Sequence, residues 1–146
     1  MDTKAYMKET FNLLDEVNSL LLQEFESIFH FDITTKQSIV LHHVYQAKTI
    51  TVNELAQLMK ISASAVSQLL NKLESELYIK REINPKNRRE ILISLGSKGI
   101  KLYEESDKID QRIMEKYYSK LTEEEMIQFQ TIVRKLHTII TTSNNE

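Results

Sequence analysis

Residues 51–73 read TVNELAQLMKISASAVSQLLNKL, and this stretch decides the fold. Thr51-Val52-Asn53-Glu54 has the form of a capping box, in which the threonine oxygen accepts from an early helical N–H and the glutamate accepts from the cap residue in return. A short helix is predicted to start there. Ser62 is a second N-cap position, and Val66, Leu69, Leu70, Leu73 and Leu77 follow it at helical spacing. Two short helices thus meet at a tight turn around Lys60 and Ile61. A helix-turn-helix needs a small residue where its helices cross and a branched apolar residue facing it, and Ala56 and Val66 suit those places. Leu55, Met59, Ile61 and Leu69 are expected to complete the small core. An ordinary helical hairpin would share this spacing, so the flanking sequence has to decide.

Downstream the apolar period changes from about 3.6 to 2. Ile79 and Ile83, then Ile91, Ile93 and Leu95, alternate with polar or charged residues, which predicts two antiparallel strands. Between them lies Asn84-Pro85-Lys86-Asn87-Arg88-Arg89, longer than the roughly two to five residues usual for a hairpin loop. Loops longer than geometry requires often carry function. Upstream, residues 4–29 place Met7, Phe11, Leu14, Leu21, Phe25 and Ile28 at spacings of three and four, a long amphipathic helix. A second helix after Thr34 and Thr35 puts Ile39, Val40, His43 and Val44 on one face, with Leu41 and Tyr45 flanking, and ends near Lys48. After Gly96-Ser97 a helix is expected over 98–118, with Leu102, Ile109, Ile113 and Tyr117 on one side. Thr122 with Glu125 caps a last helix presenting Phe129, Ile132, Val133, Leu136 and Ile140, and 143–146 form a frayed tail. Helix, helix, tight turn, helix, two-stranded ribbon is the order of a winged helix-turn-helix. The expected fold is mainly α with a small antiparallel β-hairpin. It forms a single domain over 1–146, with flanking helices at about 1–30 and 98–142 around a winged lobe at about 34–96.

Composition narrows the function classes. The chain has 146 residues, only two glycines (Gly96 and Gly99) and one proline (Pro85), too few for a strand-rich barrel or sandwich. The same scarcity excludes a P-loop, a dinucleotide-binding glycine turn and a nucleophile elbow. With no cysteine there are no disulfides, thiolate nucleophiles or cysteine-based zinc sites, and a reducing compartment is expected. The N-terminal residues open into no apolar signal core, and no stretch of about 18 apolar residues occurs, so a cytoplasmic chain without membrane association is expected. No signature of a nucleophile with its base is present, so no enzyme is expected, and no cofactor.

Charge is distributed unevenly. The formal net charge is −2, yet residues 55–73 contain no aspartate or glutamate although 21 acids occur in 146 residues. Lys60 and Lys72 lie within that stretch. The second helix presents Ser64, Ser67, Gln68 and Asn71 opposite Val66, Leu69 and Leu73, short polar groups able to donate to and accept from base edges. Residues 80–89 hold five cations (Lys80, Arg81, Lys86, Arg88, Arg89) against one acid, Glu82. Cations on a protruding loop can reach a duplex backbone and place an arginine in a minor groove. Such a surface fits double-stranded DNA. The competing reading is a winged-helix protein-docking module whose basic loop meets an acidic partner.

Ile61-Ser62 through Val66, then Leu73, Ile79 and Arg81, the loop 84–89, and Leu95-Gly96-Ser97-Lys98-Gly99 together resemble the MarR family of bacterial transcriptional regulators. The resemblance implies a ligand-responsive repressor, or less often an activator, acting as a homodimer on a near-palindromic operator. It makes 63–76 the recognition helix for the major groove and Arg89, with Arg88 beside it, the wing-tip arginine. The DNA-contacting residues it implies are Ser62, Ser64, Ala65, Ser67, Gln68, Asn71 and Lys72 on the helix and Lys86, Asn87, Arg88 and Arg89 on the wing. It also implies a small aromatic or anionic effector between the dimer helices and the DNA-binding lobe. The chain departs from the family pattern at three points. Asn87 stands where an aspartate commonly aims the tip arginine, Leu77 where glycine is frequent after the recognition helix, and Gly96 where a threonine cap is usual. A neutral bond to Arg89 and a looser wing are expected from the first, and a costly left-handed leucine from the second.

The dimer has an independent physical basis, because the flanking helices carry apolar stripes longer than a small three-helix core can cover. Some relatives sense zinc, and Glu24, His30 and His42 could converge here for a metal-responsive regulator of the same fold. His42 and His43 are adjacent and point about 100 degrees apart on a helix, which does not suit joint binding of one ion.

Overall fold

The computed structural model describes residues 2–25 and 31–145. It contains α1 (Thr3–Phe25), α2 (Thr35–Ala47), β1 (Ile50–Thr51), α3 (Val52–Met59), α4 (Ala63–Ser75), β2 (Ile79–Ile83), β3 (Ile91–Leu95), α5 (Ser97–Lys116), a 3-10 turn (Tyr118–Lys120) and α6 (Glu123–Ser143). The expected continuation of the first helix to 29, with Ile28 and His30, lies outside the described residues. The chain divides into two compact units, Leu22–Ser106 on one side and the described residues of Met1–Leu21 with Asp107–Glu146 on the other.

In the unit Leu22–Ser106, local chemistry sets the helix ends. Thr34 forms a complete capping box with Gln37 at the start of α2. Thr51 accepts from the Glu54 N–H at 3.2 Å to start α3, but only this half of the expected box forms. Thr51 belongs instead to β1, opposite Leu92. Ser62 accepts from Ala65 at 3.1 Å to start α4. Each such cap contributes about 1 kcal/mol. The turn between α3 and α4 closes on Lys60 in the left-handed conformation (φ 54°), as its position requires.

The three strands order as β1-β3-β2, antiparallel throughout, with Ile79 opposite Leu95 and Ile83 opposite Ile91. The core comprises Val40, Leu41, Val44, Ile50, Leu55, Val66, Leu70, Leu73, Tyr78, Ile79, Ile93 and Leu102, with Ala56, Met59 and Leu69 packed at its edge. Full burial of a branched aliphatic such as Val66 or Ile93 contributes about 1.5–3 kcal/mol.

Two core expectations need correction. Ile61 is exposed: its N–H bonds to the Ala56 carbonyl in the turn, and the side chain is left outside the helix crossing. On α2 the buried face is Gln37, Val40, Leu41 and Val44, which share an i, i+3, i+4, i+7 stripe, so Ile39 is exposed and His43 only half-buried. The alternation in the ribbon also reaches only part of its length. Ile79 and Ile93 are buried, whereas Ile83 and Ile91 face each other beyond the core and are exposed.

Leu77 follows α4 with φ 66°, a left-handed leucine as its place in the chain implies. A Cβ on Gly96 would collide with the Leu77 carbonyl oxygen, and one on Gly99 with that of Tyr78. Gly96 is thus fixed by close backbone approach. The junction is completed by Gly96 N–H to Tyr78 O and Lys98 N–H to Leu77 O, both 2.9 Å.

In the other unit, Thr122 and Glu125 form a full capping box on α6. The Tyr118 and Phe129 rings lie 6.4 Å apart. No residue of α6 is buried within the chain: Phe129, Ile132, Val133, Leu136 and Ile140 are all exposed, as are Met7, Phe11 and Leu14 on α1. No described helix is long and apolar enough to cross a membrane.

Candidate nucleic-acid interface

The outward stripe of α4 begins at its cap. Ser62 is exposed; its oxygen accepts from the Ala65 N–H, and its O–H is left free to donate. Ser64, Gln68, Asn71 and Lys72 are exposed, while Ala65 and Ser67 are half-buried along the edge of the helix. Val66, Leu70 and Leu73 are buried on the opposite side, which fixes the rotation of α4 and leaves this polar, acid-free stripe facing out.

The wing tip is closed by its own asparagines. Asn84 Oδ1 accepts from the Lys86 N–H at 3.0 Å, and the Asn84 N–H donates to the Glu90 carbonyl at 3.0 Å. Asn87 Oδ1 accepts from the main-chain N–H of Arg89 at 3.2 Å, and its Nδ2 donates to Glu90 Oε1 at 3.0 Å. The neutral bond expected to aim the Arg89 side chain is therefore made to its backbone. Asn87 shapes the turn, and Lys86, Arg88 and Arg89 project as exposed side chains.

The five cations of the segment 80–89 are not equivalent. Lys80 pairs with Glu82 at 3.5 Å, and Arg81 pairs with Glu74 at 3.0 Å. Lys86, Arg88 and Arg89 have no ion-pair partner among the described residues, so the charge available to a ligand is concentrated at the tip. Arg81 also bonds Asn71 at 2.8 Å. Its hydrogen bond, with its positive charge adding and burial opposing, holds the Glu74 carboxyl below its ordinary range. Charge counting along the sequence places Arg81 among the loop cations and misses this bridge. The signal that could have found it is an acid in the last turn of α4 followed by an arginine near the start of the next strand.

A cavity of about 330 Å³ lies within the same unit, lined by Phe31, Ile33, Leu41, His42, Leu102 and Tyr103, with Ser38 and Ser106. Tyr103 stacks on Tyr45 with ring centroids 4.0 Å apart and planes 4° from parallel. Burial, with a smaller contribution from Tyr45, raises the Tyr103 hydroxyl above its ordinary value. Burial and then the neighbouring His42 lower His43. Among the described residues no three histidine or acidic side chains are placed to hold a metal ion. His30 of the expected triad with Glu24 and His42 lies outside the described residues.

A profile described as MarR family matches residues 31–90. The HTH-type transcriptional repressor MdtR of Bacillus subtilis (strain 168) is 37% identical over 111 residues, covering 76% of this chain and 72% of that protein. The chain belongs to the MarR family. Two solved structures extend the likeness across the fold. S. aureus MepR bound to ethidium bromide has a TM-score of 0.68 at 28% identity, covering 88% of this chain and 94% of that one. A point mutant of S. aureus MepR bound to an oligodeoxyribonucleotide has a TM-score of 0.60 at 27% identity, covering 96% and 99%. This MarR-family chain is a winged helix-turn-helix DNA-binding transcription regulator, with α3 and α4 as its helix-turn-helix and β2–β3 as its wing.

Proposed function

We propose that the chain is a repressor that acts as a homodimer on a near-palindromic operator in double-stranded DNA and is released by a small ligand. The observation that carries this reading is the pairing, within one compact unit, of the acid-free polar stripe of α4 with the unpaired cations of the wing tip. Ser62, Ser64, Ala65, Ser67, Gln68, Asn71 and Lys72 meet the major groove and its phosphates; Lys86, Asn87, Arg88 and Arg89 meet the adjoining backbone and minor groove. Repression itself is supported by the MdtR likeness and duplex binding by the MepR–oligodeoxyribonucleotide likeness.

The apolar side chains left uncovered on α1 and α6 support the dimer, since stripes of that size are buried against a partner. A second copy related by a twofold axis places two reading helices about one duplex turn apart, which matches a palindrome. The chain then works as one domain, with dimerisation helices at about 1–30 and 98–142 and the winged lobe at about 34–96, in the cytoplasm. The aromatic-lined cavity takes the effector, a small aromatic or anionic compound, with His42 as a polar anchor. Its role is binding and regulation, without catalysis.

The test is titration of a fluorescent duplex, selected by the protein from its own genome, at a series of salt concentrations. Binding with a steep negative salt slope and a preference of about a thousandfold or more over random competitor is expected. A flat slope, with displacement by an acidic protein instead, would assign the wing to protein docking.

A further inference from the structure

Arg81 is the third residue of β2, paired across the ribbon with Ile93. Cross-strand partners share a face, so Arg81 points to the side on which Ile93 is buried and α4 packs. From there its guanidinium returns to the recognition helix. Nε and Nη2 donate to Glu74 Oε2 and Oε1 at 3.1 and 3.0 Å, and Nη2 also donates to Asn71 Oδ1 at 2.8 Å. The twofold grip on Glu74 fixes the plane of the guanidinium. A guanidinium carries donors and no acceptor, so the amide atom of Asn71 that faces it must be the oxygen. The amide nitrogen is then turned away from the bridge, on an exposed residue of the outward stripe.

An unrestrained asparagine can offer either end of its amide, and reads adenine by offering both, accepting from N6 and donating to N7. With its oxygen held inward, that fork is lost. We infer that Arg81 is a positioning residue for sequence reading, locking Asn71 so that it offers only a donor to the groove. Such a donor matches an acceptor on the edge, guanine O6 and N7, adenine N7 or thymine O4, but no longer pairs with the exocyclic amines of adenine or cytosine. This rests on the proposed placement of α4 in the major groove. It makes Arg81 a determinant of specificity even though its own guanidinium is occupied within the protein.

The experiment uses a pool of randomised duplexes, from which the wild-type dimer selects a consensus, followed by affinities for every single base-pair variant of that consensus. Asn71→Ala locates the base pair that Asn71 reads. Arg81→Met is expected to relax the preference at that same base pair roughly three- to tenfold, the worth of one well-placed hydrogen bond, and to leave the others unchanged. Arg81→Lys, which keeps the charge without the fork, falls between. Asn71→Asp, which still accepts from Arg81 but has no donor, loses the preference for acceptor-bearing edges. In the Asn71→Ala background, Arg81→Met adds nothing at that position. A uniform loss across all sequences, tracking a fall in melting temperature, would make Arg81 merely structural and overturn the proposal. So would an equal effect of Arg81→Met with and without Asn71. If Asn71→Ala changes no preference while duplex binding persists, the assignment of Asn71 fails and the proposal with it. If the wild type selects no consensus, the DNA reading itself has failed.

Discussion

Asn87 donates from Nδ2 to Glu90 Oε1 at 3.0 Å while its Oδ1 holds the Arg89 N–H, so one side chain holds both residues that lead out of the wing turn. An aspartate there could keep the second bond but would turn the first into repulsion between two carboxylates. Asn87→Asp is therefore expected to weaken duplex binding roughly three- to tenfold at low salt, with the gap narrowing as salt screens the added charge. Adding Glu90→Gln should recover most of the affinity. Fluorescence anisotropy at two ionic strengths checks both variants.

Replacing Arg88 and Arg89 together by alanine removes two of the three unpaired tip cations. Affinity should fall for all sequences alike, and the slope of log affinity against log salt should flatten by about 0.9 for each phosphate no longer neutralised. Lys80→Ala, which removes a cation already paired with Glu82, should change that slope far less. Equal effects of the two changes would contradict the division between paired and unpaired charge.

Two substitutions at the junction after α4 should move stability in opposite directions. Leu77 is 60% exposed and left-handed, a conformation that costs a non-glycine residue about 1–2 kcal/mol. Glycine recovers this but is freer in the unfolded chain by about 0.5–1 kcal/mol. Leu77→Gly should thus stabilise by about 0.5–1 kcal/mol. Gly96→Ala drives a methyl group into the Leu77 carbonyl and should destabilise by about 1–3 kcal/mol or more, because the obstacle is backbone. Urea melts of both variants measure the pair.

The acid limb of stability should carry the signature of Glu74. Its carboxyl is lowered from 4.5 chiefly by the Arg81 hydrogen bond, so the unfolded chain takes up its proton more readily than the folded one. The stabilisation is fully present above about 4.5 and is lost as pH falls through the lower folded value. Glu74→Gln should be flatter than wild type across that window and differ from it most above it. Parallel denaturation curves from about pH 7 down through the acid range would show the same acid limb for both proteins if the bridge contributes nothing.

Most of the helical frame was legible because it rests on local chemistry. Thr34, Ser62 and Thr122 each sit where a cap must, and the change of period after Leu77 marks the ribbon. What sequence could not supply came from long-range packing. β1 is two residues long and shows no period; it exists because Ile50 and Thr51 pair with Ile93 and Leu92. Ile61 and Ile39 read as core by type, yet the turn at Lys60 and the rotation of α2 leave them outside. At the candidate interface, residue types and the charge imbalance were visible, but not which cations are already paired. That depends on Glu74 and Arg81 meeting across a helix and a strand, which spacing alone does not reveal.

The backbone seam at Leu77, Tyr78, Gly96 and Lys98 has a mechanical corollary. With no side chain between them, the first turn of α5 and the corner leading out of α4 are joined directly by backbone hydrogen bonds. A twist applied to the root of α5 is therefore expected to reach the end of the helix that carries Asn71 and Glu74.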